Sequence, residues 1–181
     1  MEHSYISDDV YKQIKDFKYE YLSEEQKLLI DKLIPNEELK QRYKRFGFCK
    51  ECKQPNTDYY WCQSCNSKRF QQNFQNWTSG NSDVDKLIQE SQLNAKQHEE
   101  VLEWIEYDRL ENIEYITKGG FGKVYKAFWK DGYITSWNYE TNQWNRIKLE
   151  NGIAVALKCL NNSKDITLEF LNEVNIAMIV K

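Results

Sequence analysis

Four cysteines in two close pairs restrict the fold of this chain more than any other feature of its sequence. Two residues separate the members of each pair and nine separate the pairs, which comprise Cys49, Cys52, Cys62 and Cys65. Four thiolates in two short knuckles suit a tetrahedral Zn²⁺ site, and an all-cysteine site leaves no open position for catalysis. Two redox pairs or four unligated thiols are the alternatives, and the turn residues Pro55, Asn56 and Asp58 argue against both. We therefore expect a compact structural zinc site.

The remaining cysteine and the amino terminus indicate the compartment. Cys159 stands alone in an apolar run, and five cysteines are an odd number, unlike the disulfide framework of a small secreted protein. The first residues contain no basic stretch followed by an apolar run, and no window approaches the roughly 18 apolar residues of a membrane span. We expect an intracellular protein, cytoplasmic rather than nuclear, with no membrane partner.

Basic and aromatic residues surround the cysteine pairs. They are Arg42, Lys44, Arg45, Lys50, Lys53, Lys68 and Arg69, with Phe48, Tyr59, Tyr60 and Trp61 among them. Nucleic-acid surfaces use such residues. However, the formal net charge is −3 and no recognition-helix pattern accompanies the patch, so we expect a solvated face. A zinc-stabilised nucleic-acid binder stays an alternative. The cysteine spacing resembles that of the short zinc fingers of nuclear-pore Ran-binding proteins, although their tryptophan before the first cysteine is absent.

Residues 8–46 carry the periodicity of helices. Apolar residues recur at helical spacing at Val10, Ile14, Phe17 and Tyr21. Ser23 with Gln26 has the pattern of a capping box that begins a further helix, and Pro35 ends that helix. These stripes predict packing faces in a small helical array, with a partner-binding surface as the alternative.

The rest of the chain divides by pattern into further segments. A glutamate-rich stretch capped by Ser82 predicts a solvated helix to about residue 105. From Asn112 onward, a shorter period with Asp-Gly and Asn-Gly steps predicts strands and hairpins. The predicted segments are 1–46 (helical region), 47–78 (four-cysteine zinc-binding segment with a short helix), 79–104 (helical connector) and 105–181 (strand-rich domain). The predicted fold class is α+β.

A glycine-rich turn in residues 116–125 is the most informative motif of the last segment. Glycine allows backbone amides to approach phosphate closely. Lys158 follows thirty-four residues after Val124 and ends an apolar strand pattern. A buried strand rarely carries a lysine without a partner. We therefore expect an acidic partner for Lys158. A helical stripe further along sets Glu173 beside a packing face, and Glu173 supplies the partner.

Combined, these motifs resemble the start of the protein-kinase fold, most closely the tyrosine-kinase-like branch of the serine/threonine kinases. The resemblance covers about residues 110–178. It implies an incomplete amino-terminal lobe, with two antiparallel strands, an extra hairpin, a third strand and the helix that carries Glu173. The residues that it implies for nucleotide binding are Gly119, Gly120, Phe121, Gly122, Val124, Ala156, Lys158 and Glu173.

The resemblance implies a role for seven of these eight residues, all except Gly120. Gly119 and Gly122 match the second and third glycines of the phosphate loop, with Phe121 at its tip. The adenine-covering residues match Val124 and Ala156. The lysine that neutralises the α- and β-phosphates matches Lys158, and the glutamate that holds this lysine matches Glu173.

Two local departures from the family pattern affect the expected structure. Thr117 stands where the first glycine belongs, which stiffens the opening turn of the loop. Residues 129–152 lengthen the connection between the second and third strands, and Asp131-Gly132 and Asn151-Gly152 are predicted hairpin turns. The tryptophans of this insertion are expected to pack in a core or, alternatively, to dock a partner. They are Trp129, Trp137 and Trp144.

The third departure concerns function. The sequence contains neither a His-Arg-Asp catalytic loop nor an Asp-Phe-Gly metal site, and phosphoryl transfer requires their carboxylates. We therefore expect the ATP-binding part of a serine/threonine kinase lobe, without catalytic residues, inactive as an isolated chain, and binding ATP and Mg²⁺ weakly or not at all. The alternative is a non-catalytic, zinc-containing interaction module. Expected partners are ATP and a protein partner or substrate of the parent kinase.

Overall fold

The computed structural model describes residues 5–119, 122–160 and 179–180, and this part of the chain has an α+β fold. Its α-helices are α1 (Asp8–Ile14), α2 (Glu24–Leu33), α3 (Glu37–Phe46), α4 (Gln63–Asn73) and α5 (Ser82–Asn94). Its strands are β1 (Trp104–Ile105), β2 (Leu110–Gly119), β3 (Gly122–Trp129), β4 (Ile134–Asn138), β5 (Gln143–Arg146), β6 (Ile153–Leu160) and β7 (Ile179–Val180). Among these residues, no helix has the length and apolar character needed to cross a membrane.

Side-chain caps determine where the first helices begin. Ser23 Oγ accepts from the Gln26 amide at 3.2 Å and Gln26 Oε1 accepts from the Ser23 amide at 3.0 Å, which confirms the predicted capping box. α2 ends two residues before Pro35, as predicted. Helices α1 to α3 share a core in which Tyr43 is buried and donates its hydroxyl to the carbonyl of Ile14 at 2.8 Å.

The prediction that Tyr21 continues the apolar stripe of the first helix is wrong. α1 ends at Ile14, and Tyr21 lies in the 3-10 turn Tyr19–Tyr21 with 81% of its surface exposed. A 3-10 turn has three residues per turn, and the chain between α1 and this turn is not helical. A stripe extrapolated across that break therefore points its last side chain to solvent.

The predicted connector helix is shorter and more buried than its polar sequence indicated. Asn81 caps α5, where Ser82 was predicted to do so. The helix ends at Asn94, not near residue 105, because Ala95 leaves the helical conformation and packs in a core with residues of the zinc-binding segment. Ile88 is fully buried, so α5 is a packed element and not a solvated connector.

Strands β2, β3 and β6 form an antiparallel sheet in that spatial order. On one face Tyr125 lies opposite Leu157 and Ala127 lies opposite Val155, and this face forms a hydrophobic core that also includes Trp129. An antiparallel sheet with an insertion before its third strand was predicted for this region. β1 also pairs with β7, in parallel.

The insertion contains the predicted hairpin, formed by β4 and β5, but its turn lies at residues 139–142. The predicted turns at Asp131-Gly132 and Asn151-Gly152 flank the hairpin instead. There the φ angles of 65° at Gly132 and 77° at Gly152 are left-handed, which favours glycine. A β-carbon on Gly132 would lie 1.7 Å from the carbonyl oxygen of Ile147. The glycines therefore mark the base of the hairpin and not its tip.

Candidate metal centre and strand face

The sulfur atoms of the four paired cysteines all lie within 4.8 Å of one another. Sγ of Cys49 is 3.8 Å from that of Cys65, and Sγ of Cys52 is 3.6 Å from that of Cys62. A tetrahedral Zn²⁺ with bonds of about 2.3 Å sets its sulfur ligands about 3.8 Å apart, whereas a disulfide brings two sulfurs to about 2.05 Å. The donor set and its spacing fit one zinc ion.

A short loop closed by a β-bridge holds the first cysteine pair. Phe48 and Pro55 form the bridge, and the amide of Cys49 donates to the carbonyl of Gln54 at 2.8 Å. The side chain of Gln54 reaches the N-terminal segment, where it accepts from the amide of Ile6 at 2.6 Å and donates to the carbonyl of Ile6 at 2.9 Å. The first knuckle is thus linked to the helical region.

Helix α4 holds the second pair. Cys62 is its N-cap residue and Cys65 lies in its first turn. Residues three apart in a helix point to the same side, so both thiols face the same point. The short helix predicted after the cysteines therefore starts earlier than expected, and it includes one of the ligands.

Hydrogen bonds and burial shift the pKa values of three of the clustered thiols in different directions. Hydrogen bonds from Cys52 and Cys62 lower the pKa of Cys49, and the hydrogen bond to Cys49 raises the pKa of Cys62. Burial raises the pKa of Cys65 to about 12. A zinc ion has to displace protons from such a cluster, so its binding weakens as the pH falls.

Arg69 on α4 connects the ligand-bearing helix to the first knuckle. Its guanidinium forms an ion pair with Glu51, which lies between Cys49 and Cys52. The same guanidinium lies 4.4 Å from the ring centre of Trp137 on β4. Arg69 therefore joins three parts of the molecule, namely the loop, the helix and the hairpin.

The hairpin packs on the zinc-binding segment through Trp144. The ring centre of Trp144 lies 4.6 Å from that of Phe70 and 5.8 Å from that of Trp61, both in stacked orientation. Trp61 is fully buried and donates its indole N–H to the carbonyl of Ala95 at 3.0 Å. Trp137 meets Trp144 edge to face at 5.1 Å. The expectation that the insertion's tryptophans pack in a core is correct for Trp129, which is buried in the core of the sheet, and for Trp144, whose core is shared with the zinc-binding segment.

Tyr139 in the hairpin turn contacts the metal cluster directly. Its hydroxyl lies 3.6 Å from Sγ of Cys49, and burial raises the pKa of Tyr139. Sequence reasoning missed this residue because ninety positions separate it from its partner in the chain. Local patterns carry no signal for such a contact.

Much of the predicted basic patch is engaged inside the molecule. Arg42 donates to the carbonyls of Pro55 and Asn56, and Lys44 lies 2.5 Å from Asp31. Two of its aromatic residues pack in cores, namely Phe48 and Trp61. Two others are exposed, namely Tyr59 and Tyr60. These contacts weaken the nucleic-acid alternative, because paired cations have little charge left for phosphate.

The face of the sheet opposite its core carries the residues predicted to contact a nucleotide. Val124 on β3 lies directly opposite Lys158 on β6, and Ala156 points to the same face. Thr117 also lies opposite Val124, from β2. The expected burial of the lysine-bearing strand applies to one side only, since Leu157 is buried whereas Lys158 is exposed.

The predicted site residues thus fall into two groups. The cysteines converge, whereas the strand residues share one face, with Gly119 opposite Gly122 at the ends of β2 and β3. Gly120, Phe121 and Glu173 lie outside the described residues. No protein-family model, no curated protein and no solved structure matches this chain.

Proposed function

We propose that this chain is a zinc-stabilised module joined to the ATP-binding strands of a protein-kinase-like lobe. The observation that carries the nucleotide-binding part is the strand register, in which Val124 faces Lys158 across the β3–β6 pair while Ala156 lies on the same exposed face. Ala156 and Lys158 share a face because they are two residues apart on β6, and the pairing of Val124 with Lys158 adds β3 to the same face.

The chemistry of this face suits a nucleoside triphosphate. The apolar side chains of Val124 and Ala156 offer contact to a purine ring, and the ammonium of Lys158 offers charge to phosphate oxygens. Gly119 and Gly122 pair at the same end of the strands. Glycine lets backbone amides approach phosphate closely.

The zinc-binding segment has a structural role in this proposal. Its four thiolates fill a tetrahedral coordination shell, and binding of the metal contributes folding free energy. Through Trp144 and Tyr139 the same segment contacts the insertion of the sheet. We propose that zinc holds the insertion, and with it one end of the nucleotide-binding strands.

An acyl-phosphate derivative of ATP tests the nucleotide site. Such a probe transfers its acyl group to a lysine amine beside the bound phosphates and releases ATP. With Mg²⁺ present we expect acylation at Lys158, read out by mass spectrometry of peptides and suppressed by excess ATP. Lys126 is a matched control, because it is exposed on the same face of the sheet but lies farther along β3 from the Gly119–Gly122 pair.

The variants Lys158→Arg and Lys126→Arg complete the design, because each keeps its charge and loses only the acylated amine. The first is expected to lose the ATP-sensitive label and the second to retain it. Equal acylation of both lysines, or labelling that ATP does not suppress, would contradict nucleotide binding at this face.

A non-catalytic interaction module is the second candidate function. The shared core of Trp61, Phe70 and Trp144 supports it, because this core joins the hairpin and the zinc-binding segment into one surface. A zinc-loaded chain without ATP-sensitive labelling of Lys158 would favour this candidate.

A further inference from the structure

An open groove runs between α4 and the β4–β5 hairpin, with a volume of about 1020 Å³. Gln72 and Lys68 lie on its helix side, and Gln143 and Lys148 lie on its hairpin side. Trp144 also lines it. The groove is separate from the Val124–Lys158 strand face.

The arginines and acids of the groove are already paired. Arg69 forms an ion pair with Glu51. Arg146 forms one with Glu103, and it also donates to the carbonyl of Gly132 at 2.6 Å. Each of the two arginines is thus matched by one carboxylate.

A further lining acid is also engaged. Asp131 accepts two hydrogen bonds from Arg109, which lies outside the groove lining. Lys148 is near enough to lower the pKa of Asp131, but it forms no ion pair with it. In the described part of the chain, Lys68 and Lys148 are exposed and have no ion-pair partner. The groove therefore presents two lysines that no ion pair holds, Lys68 from α4 and Lys148 from the residues after β5.

Hydrogen-bonding groups lie beside the lysines. Gln72 and Gln143 are exposed, and within the described residues their side-chain amides make no hydrogen bond. A carboxamide can donate to a peptide carbonyl and accept from a peptide N–H at the same time. Such groups suit an extended polypeptide backbone.

The aromatic residues of the groove favour a peptide over single-stranded nucleic acid. Trp144 is stacked with Phe70 and with Trp61, and the Arg69 guanidinium lies 4.4 Å from the ring centre of Trp137. Binding of single strands relies on aromatic faces on which bases stack. These contacts engage ring faces of both tryptophans and leave fewer faces for bases.

We propose that the groove between α4 and the hairpin binds an acidic peptide segment of a protein partner. Lys68 and Lys148 attract its carboxylates, while Gln72 and Gln143 hydrogen-bond its backbone. This inference does not depend on the proposed nucleotide site. The pairing is solvent-exposed, so binding is weak and depends on salt.

Fluorescence anisotropy with the zinc-loaded chain tests the proposal. The probe is a fluorescein-labelled peptide of alternating glutamate and serine, and the matched peptide of lysine and serine serves as negative control. For the double variant Lys68→Glu/Lys148→Glu we expect the affinity for the acidic peptide to fall at least about tenfold. The double variant Lys68→Gln/Lys148→Gln should lose part of that affinity, and it covers the case in which charge reversal impairs folding.

Lys15→Glu/Lys32→Glu is the matched control, because both lysines are exposed and lie outside the groove, Lys15 directly after α1 and Lys32 on α2. It makes the same change in net charge, and its affinity should stay within about twofold of the unaltered chain. Equal losses in both charge-reversal variants would overturn the proposal, as would no binding of the acidic peptide. Tighter binding of a labelled oligothymidylate, lost in the groove variant, would also overturn it and assign the groove to nucleic acid.

Discussion

The cysteine cluster and the Lys158 strand face differ in how much of each site the protein surrounds. Three of the four cysteines are buried, and Arg69, Tyr139 and the shared tryptophan core enclose them. Ala156 and Lys158, by contrast, are exposed, and the buried side of their sheet faces away from them.

Because of this difference, the two sites should depend on their ligands in different ways. A closed cluster of thiols gains its order from the metal, so its ligand contributes to folding. An open strand face is held by the backbone register and the core behind it, so it can be folded without any ligand. Removal of zinc should therefore change the structure, whereas removal of a nucleotide should not.

Removing one ligand of the closed site should have the largest effect. We expect Cys62→Ser to lose zinc and to unfold the zinc-binding segment, because structural zinc contributes about 10 kcal/mol or more to such domains. Elemental analysis and far-UV circular dichroism measure both outcomes. Cys159→Ser is the control, since Cys159 is exposed on β6 away from the cluster. Equal metal content in the two variants would contradict the zinc site.

Trp144→Ala tests whether the two regions are coupled. The change removes a ring stacked with Phe70 and Trp61, and loss of a packed tryptophan costs about 3 kcal/mol. We expect denaturant unfolding to change from one transition to two, with the zinc-binding segment separated from the sheet. Tyr107→Ala removes an exposed ring and should cost less than about 0.5 kcal/mol. A single, unshifted transition in Trp144→Ala would show that the hairpin does not couple the regions.

Gly132→Ala alters the base of the hairpin without changing either site. An alanine there requires a left-handed φ and meets the carbonyl of Ile147, which should cost about 2 kcal/mol. Gly80→Ala is the matched control, because Gly80 has φ 81° but no atom within 4 Å of the added carbon. Its cost should be about 1 kcal/mol. Urea unfolding measures both, and equal costs would mean that the hairpin base shifts freely.

Asp131→Asn should have the smallest effect, and that effect depends on pH. Hydrogen bonds from Arg109 lower the pKa of Asp131. A lowered folded-state pKa contributes stability above the unfolded value, about 3.9, and this contribution is lost as the pH falls through the folded value. We expect the unaltered chain to exceed the variant slightly in urea midpoint at pH 7, with the gap closing below about pH 4. Loss of zinc at low pH affects both chains equally. A difference in urea midpoint that does not change with pH would contradict a lowered pKa of Asp131.

The sequence was most informative where spacing alone decides geometry. Two C-x2-C pairs specify four donors whatever the intervening chain does, and the structure brings those sulfurs together. The strand-rich character of the region after Asn112 also followed from local periodicity. The turn residues of the insertion did not give the hairpin turn, because they lie at its base, and the strand arrangement was implied by the family resemblance. The Ser23–Gln26 capping box was predictable for the same reason, since all its hydrogen bonds are local.

Contacts between distant segments could not be predicted in this way. The stacking of Trp144 with Trp61 depends on how the hairpin is oriented, and tryptophans at both positions fit equally well in separate cores. The end of α5 was missed because Ala95, a good helix former, leaves the helix to accept a hydrogen bond from Trp61. Tertiary packing outweighed local preference at both places.

The double hydrogen bond between Gln54 and Ile6 has a consequence for the lifetime of the protein. Gln54 contacts Ile6 as a neighbouring strand would, and its carbonyl belongs to the first cysteine loop. Loss of zinc loosens that loop, so we expect it to release Ile6 and to expose the segment around Ile6 to proteases. Peptide cleavage is not reversed when the metal returns. A brief shortage of zinc would then leave a permanent cut in the chain.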